Sequence, residues 1–279
     1  MTFKTLLVAV DQGVDSDARV RLACDLAAGL DAHLIGACGV ALSVPPADDL
    51  YTGGAMFGEA FTLLRDLAEA EVRGALTRFH ELVGSRRGRT EWRGRLGLPA
   101  DVVAHEARAA DLVILGRRSS RAPTHAIDPA DVLMAVGRPV LVVPPERERE
   151  REPTGWPAVV AWKDSREAQR AAASALPLLS RASTVHVLEI AGEDTAEQAA
   201  ARTDDVVAWL GRHGISAEAH VSPPGKTTAA RNILGFAASH QAGLIVCGGY
   251  GHARLREWAL GGVTSELLAS APVCVLLTH

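Results

Sequence analysis

The residues with the clearest chemical potential lie late in the chain, in "GGYGHARLREWALGGVTSELL", which runs from Gly248 to Leu268. Gly248, Gly249 and Gly251 open it, and Gly261 and Gly262 follow before Val263, Thr264 and a helix-like "SELL". Glycine has no Cβ, so an anion can approach the backbone closely and φ can be positive. Free amides at a helix start point toward an anion, and the helix dipole adds to the attraction. Thr264 offers a hydroxyl to the same cluster. The competing reading is a tight turn at Gly248 and Gly251, with Gly261 and Gly262 merely opening a helix. Pattern alone leaves both open, because short glycine motifs recur by chance.

Other motifs fail on inspection. Arg254 occupies the last glycine position that G-x-G-x-x-G requires, and "GKT" at Gly225 has His220 where a Walker loop needs glycine. "HELVG" from His80 and "HEARA" from His105 lack the second histidine of a zinc-protease helix, so both read as surface helix residues. No metal site is expected from ligand spacing. His252, inside the glycine segment, reads equally as a phosphate contact or a solvated loop residue. Arg254 and Arg256 read as solvated. No nucleophile elbow and no carboxylate pair placed for hydrolysis is present, so no catalytic residue is assigned. Asp11 is a lone carboxylate and weak evidence for Mg²⁺.

The elements that must position these residues follow from composition and pattern. The chain has 279 residues, 48% of them apolar but only 4% aromatic, so a sizeable core must be built from Ala, Val and Leu. The net charge of −4, without a basic region, argues against a nucleic-acid binder. No apolar stretch approaches membrane-spanning length. The opening "MTFKTLLVAVDQG" reads as a strand and not a signal peptide, so a cytoplasmic location is expected. Cys24, Cys38, Cys247 and Cys274 are not at metal or redox spacing and read as buried thiols.

The plan repeats. "TLLVAVDQG" from Thr5 matches "AVVAWKDS" from Ala158, "ADLVILG" from Ala110 matches "AGLIVCG" from Ala242, and "GRPVLVVPP" from Gly137 matches "SAPVCVLLT" from Ser270. Between the copies, residues 145–156 alternate Glu and Arg between prolines, which reads as a linker. The expected units are therefore 1–144 and 157–279. In the second, strands are expected from near Ala158, Thr184, Ser216, Gly243 and Val273, with helices between them. Asp164 and Glu167 are spaced as a capping box for the first helix. Strands alternating with helices argue an α/β fold with a parallel, doubly wound sheet in each unit. Ligands on such sheets bind at the carboxyl ends of strands, where the strand order switches. Leu42–Phe61, rich in Pro, Gly and Asp, reads as a lid, a partner loop or a plain connection to the helix that follows.

Gly248-x-x-Gly251, nine residues, then Gly261 resembles the nucleotide loop of the universal stress protein family. "PVCVLL" resembles that family's final strand, and "VVAWKDSREAQRA" its first strand and helix. The resemblance covers nearly the whole chain as tandem domains and is stronger in the second half. It implies two adenine nucleotide α-hydrolase-like domains, each with a five-stranded parallel sheet, that pair through their last strands. It implies ATP or another adenine nucleotide as ligand, with Mg²⁺ as companion, and little or no turnover. The nucleotide-binding positions carried over are Ala161, Lys163, Gly248, Gly251, His252, Gly261, Gly262, Val263 and Thr264. Gly262 stands where the family has Ser or Thr. Lys163 stands where it favours Asp, and reads either as solvated or as a phosphate contact. In the first half Asp11 keeps the nucleoside end. There Ser119 replaces the second loop glycine, and Asp128–Pro129 fall at the helix start, where proline lacks an amide and aspartate repels phosphate.

The expectation is a stress-response or regulatory protein that binds nucleotide in its second domain, the first being structural, with protein partners and a homodimer as further expectations. A nucleotide-independent interaction module with both sites vestigial is the alternative.

Overall fold

The computed structural model describes residues 2–13, 15–42, 54–84 (54–57 as backbone only), 89–118, 127–145, 149, 151–191, 195–223, 225, 227–249 and 262–279. The first half runs β1 (Thr5–Ala9), α1 (Ser16–Leu30), β2 (His33–Val40), α2 (Gly54–Val83), β3 (Thr90–Leu96), α3 (Pro99–Glu106), β4 (Leu112–Gly116), α4 (Pro129–Ala135) and β5 (Val140–Val143). The second repeats the order: β6 (Ala158–Trp162), α5 (Arg166–Leu179), β7 (Val185–Ile190), α6 (Ala196–Arg212), β8 (Ala217–Ser222), α7 (Ala229–Ser239), β9 (Leu244–Gly248), α8 (Gly262–Ser270) and β10 (Cys274–Thr278). The second-half strands start within a residue of the expected positions.

The ten strands among the described residues form one sheet, ordered β3-β2-β1-β4-β5-β10-β9-β6-β7-β8. Within each half every pairing is parallel; the halves join where β5 meets β10 antiparallel, Leu141 opposite Leu276. The apolar runs explain the arrangement. Leu112 to Leu115 and Leu244 to Val246 are buried on both faces, so the strands show no alternation. One face packs under α1, α2, α5 and α6, and the other under α3, α4, α7 and α8. The registers make the halves superimposable in sequence. Leu6 pairs with Leu34 and Leu112, as Ala158 pairs with Val185 and Leu244.

Helix α5 shows how the sequence builds a layer. Ala168, Ala171, Ala172, Ala175, Leu178 and Leu179 fall at helical spacing and are all buried. The expected cap at Asp164 is corrected: Ser165 is the N-cap, its Oγ accepting from the Ala168 amide at 3.3 Å. Serine at this place satisfies an orphan helix donor, and Asp164 is left exposed. The reciprocal capping box occurs instead at Thr195 and Gln198, opening α6. In Leu42–Phe61, α2 already begins at Gly54, so the tail of that segment is helical; 43–53 lie outside the described residues. The end of the charge-rich stretch is not afloat. Pro153 is buried, and the Gly155 amide donates to the Arg181 carbonyl at 2.9 Å. Among the described residues no helix is long and apolar enough to cross a membrane.

Candidate functional site

In the second half the described candidate residues gather around the carboxyl ends of β6 and β9. The two strands are neighbours, with Ala161 opposite Cys247, and their crossovers leave in opposite directions. That is the switch point at which doubly wound sheets take ligands. Ala161 is buried beneath it, Lys163 is exposed at the end of β6, and Gly248 closes β9. Gly262 opens α8, and among the described residues no atom lies within 4 Å of where its Cβ would stand. Val263 is partly exposed, and Thr264 is buried in the first turn. Gly251, His252 and Gly261 lie outside the described residues.

Gly248 is required by packing as well. A Cβ there would stand 2.6 Å from the Ala168 amide nitrogen and 2.7 Å from the Glu167 carbonyl carbon. Its absence lets the start of α5 rest directly on the end of β9. The corner is tied further: the Gly249 amide donates to the Thr278 carbonyl, and Thr278 Oγ1 donates to the Glu167 carbonyl at 3.0 Å. The buried Glu167 carboxyl is held below the usual range by its own backbone amide, with Ser165 and Arg166 adding to the effect. The opening of α8 is braced on α7. Glu266 accepts from Thr228 Oγ1 at 2.6 Å and from Arg231 Nε at 3.1 Å.

The first half builds the same corner and closes it. Asp11, at the end of β1, accepts from Arg19 Nη2 at 2.6 Å and from the Gly13 amide at 2.7 Å. Arg19 is buried in α1, and its Nε donates to the Ala9 carbonyl at 2.9 Å. The position equivalent to Gly248 is Gly116, where a Cβ would meet Arg19 Nη1. The guanidinium therefore fills the space between the ends of β1 and β4. At the other end of this corner Asp128 is the N-cap of α4, accepting from the Ala130 amide at 2.9 Å and pairing with Arg118 at 3.2 Å. A carboxylate of the chain itself takes the helix-start amide that an anion would need. Ser119 lies outside the described residues.

Sequence spacing missed one constellation. His186 of β7, His220 of β8 and His240 at the end of α7 converge, their ring nitrogens within 4.8 Å of one another. They are separated by tens of residues along the chain, so no ligand motif finds them. The clue available was period: His186 and Leu188 share one strand face, and Glu218 and His220 another. Burial, then the neighbouring imidazoles, lowers the His186 pKa from its ordinary value, and burial followed by His240 does so for His220. His80 and His105 are exposed on their helices as expected.

The class defined by this geometry is a tandem doubly wound α/β protein with a strand-order switch point in each half. The model of the universal stress protein family matches residues 2–144, and the chain belongs to that family. The match falls on the half whose loop departs more from the family pattern. A universal stress protein of Archaeoglobus fulgidus DSM 4304 has the same fold, with a TM-score of 0.71 at 15% identity, over 98% of this chain and 95% of its own. A putative universal stress protein of Pseudomonas aeruginosa UCBPP-PA14 gives 0.61 at 17% identity, over 99% and 93%. No curated protein matches the sequence.

Proposed function

We propose that the chain is a cytoplasmic stress-response regulatory protein that binds an adenine nucleotide, ATP foremost, in the crevice of its second half. The first half is structural. The observation that carries this reading is the asymmetry between equivalent corners. Asp128 takes the helix-start amide of Ala130 in the first, whereas in the second Gly262 opens α8 with no described atom within 4 Å of where a Cβ would stand.

In the second corner the start of α8 offers amides to phosphate, and no described atom crowds Gly262. Lys163, at the mouth, supplies a positive charge for the phosphates, and Mg²⁺ would accompany ATP. No general base is assigned, so turnover is at most slow.

The test is calorimetric titration of the full chain with ATP and AMP, with mass-spectrometric identification of any nucleotide released on denaturation. One nucleotide per chain is expected. Gly251→Asp, which adds bulk and negative charge to the loop, should abolish binding. No binding at millimolar nucleotide overturns the reading, and unchanged affinity in Gly251→Asp moves the site elsewhere.

A further inference from the structure

We propose that His186, His220, His240 and Glu218 form a binding site for a divalent transition-metal ion, Zn²⁺ by preference, separate from the nucleotide crevice. Glu218 lies directly opposite His186 in the β7–β8 register, and His220 is two residues further along the same face. Helix α7 covers that face and delivers His240 from its C-cap. The cluster lies toward the amino ends of these strands, away from the crevice at the carboxyl end.

The distances suit a small coordination sphere. Zinc bonds of about 2.1 Å at tetrahedral angles put ligand atoms roughly 3.4 Å apart. His186 Nδ1 and His220 Nε2 are 3.1 Å apart. Glu218 Oε2 is 3.5 Å from the first and 3.7 Å from the second. His240 places a ring nitrogen within 4.8 Å of the other two histidines. Its Nδ1 lies 2.9 Å from the Phe236 carbonyl of its own helix and donates to it, which leaves the lone pair on Nε2. Metal-bound histidines are held in this way by their other nitrogen. Phe236 stacks on His240 with centroids 3.9 Å apart and meets His220 edge-on, fixing both rings. On binding, whichever ring donates in the His186–His220 contact moves its proton to its other nitrogen, and both facing lone pairs turn to the metal.

The first half supplies an internal comparison. By register, Ile35, Glu91 and Arg93 occupy the positions of His186, Glu218 and His220, and Arg108 that of His240. There the Arg93 guanidinium sits between carboxylates, 2.8 Å from Glu91 and 3.0 Å from Glu106. The second half keeps the carboxylate Glu218 and replaces both arginines with imidazoles. A metal ion supplies the positive charge that Arg93 brings in the first half. Neutral imidazoles with one carboxylate suit Zn²⁺ rather than Mg²⁺ or Ca²⁺, which prefer oxygen. The three histidines alone lie within 4.8 Å of one another, and the exposed Glu218 swings in beside His186 and His220 as fourth ligand; the site so closed is structural and clips the edge strand β8 to α7.

The test uses the full chain, free of any histidine tag and stripped with EDTA. Zn²⁺ is titrated against a chromophoric chelator, and Co²⁺ is added separately for its visible spectrum. One Zn²⁺ per chain is expected, with the intense bands of tetrahedral Co²⁺ and a raised thermal midpoint. His220→Gln and His240→Gln should each weaken Zn²⁺ at least about 100-fold, while His105→Gln, outside the cluster, leaves it unchanged. If the histidine variants do not fold, the exposed Glu218→Gln carries the test, with a loss of about 10-fold or more. No Zn²⁺ binding, six-coordinate Co²⁺ spectra, or variants that bind like wild type overturn the proposal.

Discussion

Gly116 and Gly248 end equivalent strands, yet a methyl group at each meets different matter. At Gly248 it meets the backbone of α5, at Ala168 and Glu167, which cannot move without lifting the helix. At Gly116 it meets the far end of the Arg19 side chain. Gly248→Ala should therefore cost about 1–3 kcal/mol in urea unfolding, and Gly116→Ala distinctly less. Equal losses would show that Arg19 is as rigid as a helix backbone. The same pair of corners shows what was legible at this scale. Asp128–Pro129 announced a spoiled phosphate end, because residue type alone decides whether an amide or a negative charge sits at a helix start. The ion pair of Arg19 with Asp11 was not legible, since nothing in the spacing of Asp11 and Arg19 says that the guanidinium turns inward beneath Gly116. Thr264 was read as a hydroxyl for phosphate; its burial within α8 is a fact of packing that local sequence does not carry.

At the scale of elements, the contact of α1 with α2 depends on charge. Asp17 of α1 accepts from Arg78 of α2, and this hydrogen bond with the guanidinium charge holds the Asp17 carboxyl below its usual value. A carboxyl depressed in the folded state stabilises above its unfolded pKa of about 4 and loses that contribution as pH falls through the folded value. Asp17→Asn should thus flatten part of the acid limb when the urea midpoint is followed against pH. An acid limb that overlays the wild type would dissociate the pair from stability. The strand starts of the second half were legible to within a residue because buried parallel strands are unbroken apolar runs. The cap of α5 was misplaced by one residue, since Asp164 and Ser165 are both good caps and only the backbone geometry chooses. The histidine cluster was hidden because it needs the β7–β8 register and the path of α7 together, neither of which a linear motif encodes.

For the whole molecule, the β5–β10 pairing merges two sheets into one whose two core faces each run through both halves, so the halves should not melt separately. Cys24 and Cys38 lie in the first half, Cys247 and Cys274 in the second, and all four are buried. Burial pushes Cys38, Cys247 and Cys274 up to about 12, which suppresses thiolate at neutral pH. Alkylation followed by peptide mass spectrometry should find all four protected in the native chain, and then reactive together along one denaturant transition. Two separated transitions would sink the idea of a single cooperative sheet.

The antiparallel seam has one more consequence. Because β5 and β10 run in opposite directions, the strands of the two halves point opposite ways, and their carboxyl-end crevices open on opposite margins of the sheet. An assembly of two identical domains would present the same face at both margins. Here one margin is sealed by Arg19 and Asp128, so the chain has a head and a tail. The two margins therefore differ in chemistry, and the fusion of unequal halves turns a twofold object into a vector.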